Sequence, residues 1–222
     1  MNDRELVFSS VRAALGRSGD AVPDIHPPRV DDSLARLAGP DIDLGARFID
    51  AATRTGMKPA RASRASLRES LESIVRAEAP CTVLVDVADG SLRTVANDAC
   101  QALTISTRSD PDARAFDADL AIIDASAGVA ETGSVLLTSN NRRRCSWIVP
   151  PKVVILVRAG TLVPDLLDLW TSPESAAHAL ALAPPAAMLL VSGPSKTADI
   201  EGVLVTGVHG PGTVYIVLIN DA

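Results

Sequence analysis

The chain has 222 residues, and its 21 Lys and Arg residues against 27 Asp and Glu residues give a formal net charge of -6. This acidic balance and an aromatic content of only 3% exclude the basic surface and the stacking platforms on which nucleic-acid-binding proteins depend. The length accommodates one large α/β domain, or one domain with a small appendage, and the hydrophobic fraction of 47% supplies its core.

The N-terminal segment has the pattern of a small amphipathic helix followed by a linker. Apolar residues repeat at helical spacing from Leu6 to Leu15, and Gly16 is placed to end the helix. Residues 17–40 then combine prolines with aspartates, a composition typical of an extended linker. We therefore predict an N-terminal helical extension over residues 1–40, which is free to pack on another chain, and an α/β domain over residues 41–222.

The rest of the chain alternates predicted helices and strands. Helices are predicted for 41–56, for the amphipathic segment that begins near Leu67 and ends before Pro80, and for 163–183 with an interruption at 172–173. Short apolar runs rich in branched residues predict strands at 82–86, 102–106, 119–123, 135–138, 153–157, 187–191 and 214–219. Because these runs suit strands buried on both faces, we predict a layered α/β sandwich around a mainly parallel sheet.

One turn near the C-terminus has the features of an anion-binding site. Gly193-Pro-Ser-Lys-Thr197 follows a predicted strand, and a short helix is predicted to begin at Thr197. Backbone N–H groups and the positive end of a helix dipole favour anions, and Lys196 adds a charge suited to phosphate or carboxylate. In the alternative reading, Ser195 or Thr197 only caps the helix and Lys196 is solvated. The turn lacks the P-loop spacing, so nucleotide triphosphate hydrolysis is not supported.

A second candidate segment is Glu131-Thr-Gly-Ser134. Gly133 permits a close approach of a ligand to the backbone, and Glu131 is a candidate base or nucleophile, although hydrogen bonding within the turn explains it equally well. If the flanking strands are central, this segment and the Gly193–Thr197 turn both lie at carboxyl ends of the sheet, where open α/β sheets bind ligands. Thr132, Gly133 and Ser134 are therefore candidate ligand-binding residues.

The histidines and cysteines limit the metal chemistry. His26, His178 and His209 are widely separated, as are Cys81, Cys100 and Cys145, so no local metal or iron–sulfur motif is present. We read the cysteines as reduced thiols of a cytoplasmic protein. His209 lies between Gly207 and Gly210-Pro211, close in sequence to the proposed anion site, and is a candidate to order a ligand or to bond its own turn.

These segments together resemble the lactate utilization protein C family, which is built on the LUD domain. The resemblance is carried by Ser192-Gly-Pro-Ser-Lys-Thr-Ala-Asp-Ile-Glu201, by Gly207-Val-His-Gly-Pro211 and by Ala130-Glu-Thr-Gly-Ser-Val135. It implies a fold similar to ribose-phosphate isomerase, glucosamine-phosphate deaminase and CoA-transferases. It also implies work alongside iron–sulfur and cysteine-rich proteins that oxidise L-lactate to pyruvate, with the clusters on those partners. Relatives often carry histidine where this chain has Lys152, so any role of that histidine is in doubt here.

Two functions are consistent with these observations. The first is a cluster-free subunit of a lactate-oxidising system that binds a small anion. The alternative is a free-standing enzyme of the isomerase and CoA-transferase fold group, acting on a phosphorylated or CoA-linked metabolite. In that case Glu131 is the base or nucleophile and Lys196 holds the anion.

Overall fold

The computed structural model describes residues 2–17, 43–101, 103–107, 112–139, 144–171, 185–200 and 202–220. The chain divides into two units, Met1–Ala35 and Arg36–Ala222. The predicted linker and its boundary at residue 40 fall in 18–42, and the predicted helix interruption falls in 172–184. These predictions therefore lie outside the described residues.

The first unit contains helix α1, Asp3–Ala14, which the apolar spacing predicts. The Asn2 side chain accepts a hydrogen bond from the amide of Glu5, and the Glu5 side chain accepts one from the amide of Asn2. Gly16 has a φ of 66°, a left-handed conformation that lets the amide of Arg17 reach the carbonyl of Arg12 at 2.9 Å. Gly16 thus ends the helix as predicted, and no residue of α1 is buried.

The second unit alternates strands and helices. Its helices are α2 (Leu44–Arg54), α3 (Leu67–Glu78), α4 (Gly90–Ala99), α5 (Cys145–Ile148) and α6 (Leu166–Thr171), with short 3-10 helices at Asp112–Asp117 and Ala159–Thr161. Its strands are β1 (Lys58–Ser63), β2 (Thr82–Asp86), β3 (Thr104–Thr107), β4 (Leu120–Asp124), β5 (Ala127–Val129), β6 (Ser134–Thr138), β7 (Lys152–Arg158), β8 (Leu162–Val163), β9 (Met188–Val191), β10 (Lys196–Ile200), β11 (Val203–Thr206) and β12 (Thr213–Asn220). Among the described residues, no helix combines the length and apolar character needed to cross a membrane.

A six-stranded sheet in the order β1-β12-β7-β4-β2-β3 forms the centre of this unit. Every neighbouring pair in it is parallel. Alternate residues of its strands enter two apolar clusters, so that Val153 and Ile155 of β7 lie on one face and Val154 and Leu156 on the other. Burial on both faces explains why these strands read as continuous apolar runs. The predicted layered fold around a mainly parallel sheet is confirmed.

Different elements cover the two faces of the central sheet. Helices α3 and α4 pack on one face through residues such as Leu71 and Leu92. Helix α2 packs on the other through Phe48, next to a second sheet in the order β8-β5-β6-β9. In this second sheet β6 is antiparallel to both β5 and β9. Leu137 of β6 faces the central sheet, whereas Leu136 lies in a separate small cluster with Leu169 of α6.

The prediction that a helix begins at Thr197 is wrong, because Lys196–Ile200 forms strand β10. It pairs with β11 as an antiparallel hairpin in which Lys196 lies opposite Thr206 and Thr197 opposite Val205. Gly202, with a φ of 71°, lies in the turn between the strands. The branched residues of β11 supply a pairing partner that a reading of 196–201 alone does not reveal. No helix dipole is therefore present at this turn.

Candidate functional site

The two candidate motifs lie side by side in the second sheet. Val135 of β6 pairs with Val191 of β9, which brings Ser134 next to Ser192. Their hydroxyl oxygens are 2.7 Å apart, and the hydroxyl of Thr132 donates to that of Ser134 at 2.8 Å. The motifs therefore meet, although not at the carboxyl ends of the central sheet. Glu131–Gly133 is the reversal between the antiparallel strands β5 and β6, so the condition that the flanking strands be central is not met.

Both motif glycines pack against the C-terminal part of helix α2. Gly133 has a φ of 69°, and a Cβ atom on it would lie 2.2 Å from the amide nitrogen of Ala52. Gly193 has a φ of 141°, and a Cβ there would lie 2.8 Å from the carbonyl oxygen of Thr55. The space left by each absent side chain is thus filled by α2. These two glycines fix the position of both motifs on one helix.

The third motif closes onto the same turn. The amide of Ser195 donates to the carbonyl of Pro211 at 2.9 Å, and the amide of Gly207 donates to the carbonyl of Ser195 at 2.9 Å. The amide of Gly212 donates to the carbonyl of Pro151 at 2.9 Å, which ties this loop to the start of β7. The backbone N–H and carbonyl of Ser195 are therefore engaged, so Ser195 can offer an anion only its hydroxyl group.

A cavity of about 220 Å³ opens beside these motifs. The central sheet, the β6–β9 pair and α5 form its apolar walls, with lining residues that include Ile123, Val153, Ile155 and Val214, Leu137, Leu189 and Val191, and Trp147 and Ile148. Its polar lining residues are Ser192, Ser195 and His209, and we call the part formed by Ser195 and His209, which the Ser195–Pro211 hydrogen bond holds together, its polar end. Gly193, Gly210 and Pro211 also line it. Three of the predicted ligand-binding residues, Gly193, Ser195 and His209, therefore share one cavity.

The charged candidates lie outside this lining. Lys196 is exposed at the start of β10, and its Nζ atom would lie 3.9 Å from a Cβ placed on Gly56, in the turn after α2. Glu131 is half-buried in the β5–β6 turn, where its amide donates to the carbonyl of Pro164 at 3.0 Å. The roles proposed for Lys196 and Glu131 stay predictions.

Lys152 belongs to a cluster on the opposite face of the central sheet from the cavity. Its Nζ atom is 2.8 Å from Glu78 Oε2, and the hydroxyl of Tyr215 donates to Glu78 Oε1. Lys58 Nζ lies 3.5 Å from the same Oε1 atom. The hydrogen bonds from Lys152 and Tyr215 lower the pKa of Glu78 to about 2. Lys152 therefore binds the end of α3 to β7 and β12, and it does not line the cavity.

The carboxyl edge of the central sheet carries acidic residues that the sequence reading did not single out. Asp124, at the end of β4, accepts hydrogen bonds from the amides of Ala88 and Asp89 at 2.9 and 3.3 Å. Asp89 caps α4 and pairs with Arg158. The pKa of Asp89 is lowered to about 2, mainly by the hydrogen bond from the Ser91 side chain and to a lesser extent by the charge of Arg158. Acidic residues directly after one predicted strand and three residues after another were the available signal. Their hydrogen bonds join β2, β4, β7 and α4.

The fold and the converging motifs define a layered α/β domain in which a small cavity lies between the central sheet, the second sheet and α5. The chain belongs to the LUD domain family, whose model matches residues 45–219. A DUF162 family protein from Deinococcus radiodurans has a similar structure, with a TM-score of 0.61 and 18% sequence identity over 79% of this chain and 96% of that protein. At this identity the similarity bears on the fold alone.

Curated relatives match about half of the chain. The uncharacterized protein YkgG of Escherichia coli is 33% identical over 109 residues, which are 49% of this chain and 47% of the relative. Lactate utilization protein C of Halalkalibacterium halodurans is 34% identical over 110 residues, or 49% of this chain and 47% of the relative. Lactate utilization protein C 1 of Bacillus mycoides is 35% identical over 108 residues, which are 47% of this chain and 44% of the relative. The chain thus spans about half the length of these relatives.

Proposed function

We propose that the protein is a cluster-free component of an iron–sulfur-dependent system that oxidises L-lactate to pyruvate. The observation that carries this proposal is membership of the LUD domain family together with similarity to proteins named lactate utilization protein C. The proposed place of action is the cytoplasm, where the cysteines stay reduced.

The spacing of the cysteines and the burial of Cys100 support the proposal that partner proteins carry the clusters. The three cysteines show no ligand spacing in the sequence. Burial raises the pKa of Cys100 to about 11, which disfavours the thiolate that binds iron. Cysteine-rich and iron–sulfur proteins are therefore the proposed partners, and they supply the electron-transfer groups.

Co-purification tests this association. An affinity-tagged copy, expressed at its natural level in cells grown on L-lactate, is expected to retain the iron–sulfur proteins encoded beside its gene. The retained complex is expected to reduce an artificial electron acceptor when L-lactate is added. A chain that never retains these proteins, in a preparation where they are present and intact, contradicts the proposal.

The second part of the proposal is a small-anion site at the end of the cavity where Ser195 and His209 lie. Lys196 follows Ser195 directly and is exposed outside the cavity lining, and the proposal assigns its ammonium group to the charge of the anion. Ser192 and Ser134, with their hydrogen-bonded hydroxyls, fix the neighbouring strand ends. The site combines hydroxyl, imidazole and ammonium donors, which suits a carboxylate.

Lys196→Ala is expected to weaken binding of such an anion by roughly 1.5–3 kcal/mol, because a charge-assisted hydrogen bond is lost. Titration calorimetry of the purified chain with L-lactate and with inorganic phosphate measures this. Arg76→Ala is the matched control, because Arg76 is an exposed cation on α3 and its removal changes the net charge equally. Equal binding by the wild type and Lys196→Ala would show that the lysine is merely solvated.

A further inference from the structure

The cavity has a composition that does not match a bare small anion. None of the lining residues that the structure describes is Asp, Glu, Lys or Arg. Its walls are aliphatic side chains and the buried ring of Trp147, which is 4% exposed. Lactate has only a methyl group to place against these walls, so most of the apolar surface would stay unfilled. The cavity therefore favours a ligand with a longer apolar part.

The size of the cavity sets the length of that part. An apolar cavity of about 150 Å³ accommodates benzene, and the present cavity measures about 220 Å³. By proportion it holds roughly nine non-hydrogen atoms. This corresponds to a chain of moderate length or to one substituted ring, and it is too small for a nucleotide or for coenzyme A.

The polar end of the cavity decides which functional group the ligand carries. The backbone N–H and carbonyl of Ser195 already bond Pro211 and Gly207, which leaves its hydroxyl group for a ligand. His209 is exposed beside it, and Lys196 is next in the chain. Each of these groups can donate a hydrogen bond, and no carboxylate lies among the lining residues to oppose a negative charge.

We infer that the cavity binds a medium-chain monocarboxylate, whose apolar chain fills the space around Trp147 and whose carboxylate meets Ser195 and His209. The inference rests on the small-anion part of the proposed function and specifies its ligand class. It does not require the proposed role in lactate oxidation, because binding is a property of the purified chain.

Tryptophan fluorescence tests this directly, because the chain has two tryptophans and only Trp147 lines the cavity. In a Trp170→Phe background, where the removed residue is 44% exposed on α6, all tryptophan emission comes from Trp147. Titration with butanoate, hexanoate and octanoate is expected to change this emission with affinity rising about fourfold per added methylene group. Octanol, which has the same chain without the charge, is expected to bind at least tenfold more weakly than octanoate.

Two variants of β9 check the location. Leu189 is paired with Leu137, so it lies on the cavity side, and Leu189→Gln is expected to weaken octanoate binding about tenfold. Met188→Gln is the matched control, because Met188 is similarly exposed on the same strand and does not line the cavity. Its octanoate affinity is expected to equal that of the parent.

The outcomes separate this inference from the proposed function. Affinity that does not depend on chain length, or Trp147 emission that no carboxylate changes, overturns the inference. Lactate or phosphate binding as tightly as octanoate also overturns it while leaving the small-anion site in place. Equal binding of octanol and octanoate overturns the assignment of the carboxylate. Normal growth on lactate without the protein, by contrast, bears only on the proposed pathway.

Discussion

Gly133→Ala is expected to lower the free energy of unfolding by about 3 kcal/mol or more, the largest effect of any single methyl group added to the three motifs. The added Cβ would lie 2.2 Å from the amide nitrogen of Ala52, within the backbone of α2, and the φ of 69° is unfavourable for alanine. Left-handed backbone costs roughly 1–2 kcal/mol, and overpacking of a buried site costs roughly 1–3 kcal/mol. Urea unfolding followed by circular dichroism measures the loss.

Gly202→Ala is the matched control for this experiment. Gly202 has a φ of 71°, nearly that of Gly133, yet a Cβ on it would meet no atom within 4 Å. Gly202→Ala is expected to lower the free energy of unfolding by only roughly 1–2 kcal/mol, the cost of the left-handed backbone conformation for alanine. Equal losses in the two variants would mean that the contact between the β5–β6 turn and α2 contributes nothing.

Glu78→Gln is expected to lower the free energy of unfolding by about 2 kcal/mol at neutral pH, because it removes a charged acceptor shared by Lys152, Tyr215 and Lys58. The pKa of Glu78 is lowered from 4.5 to about 2 in the folded chain. The contribution of the ionised Glu78 carboxylate to the free energy of unfolding is therefore fully present above about pH 4.5 and is lost as the pH falls towards 2. The stability difference between wild type and variant should shrink across this window.

Glu72→Gln provides the comparison on the same helix. Glu72 forms an i,i+4 pair with Arg68 in which the side chains are 36% and 54% exposed. Removing such an exposed pair is expected to change stability by only about 0.3–0.5 kcal/mol. Thermal or urea unfolding from pH 2 to pH 7 compares the two variants. A Glu78→Gln effect that is small, or that does not depend on pH below 4.5, would contradict the structural role given to the Lys152 cluster.

The sequence predicted the parallel core well because its signal is local. Strands such as Val153–Val157 are buried on both faces, so branched apolar residues follow one another without a polar position. Strand β1 escaped prediction because Lys58, Pro59 and Arg61 interrupt any such run, and only its parallel pairing with β12 reveals it. Burial is readable from residue type, whereas pairing depends on residues distant in the chain.

The site was predicted in its parts but not in its construction. Gly133 suggested close approach of a ligand, and Gly193 belonged to a turn predicted to bind an anion. The neighbour that approaches each glycine is α2, which residues 131–134 and 193–197 do not specify. The turn at Ser195 suggested a helix start, yet β11, the partner of β10, comes later in the chain. The apolar walls around Trp147 come from separated segments, so the cavity could not be recognised before the fold was known.

Growth on L-lactate as the sole carbon source tests the central claim most directly. A strain in which this gene is deleted without affecting its neighbours is expected to fail on L-lactate and to grow normally on pyruvate, the product of the proposed oxidation. A plasmid copy of the wild-type gene is expected to restore growth on L-lactate. Undiminished growth of the deletion strain on L-lactate would contradict the role in lactate oxidation.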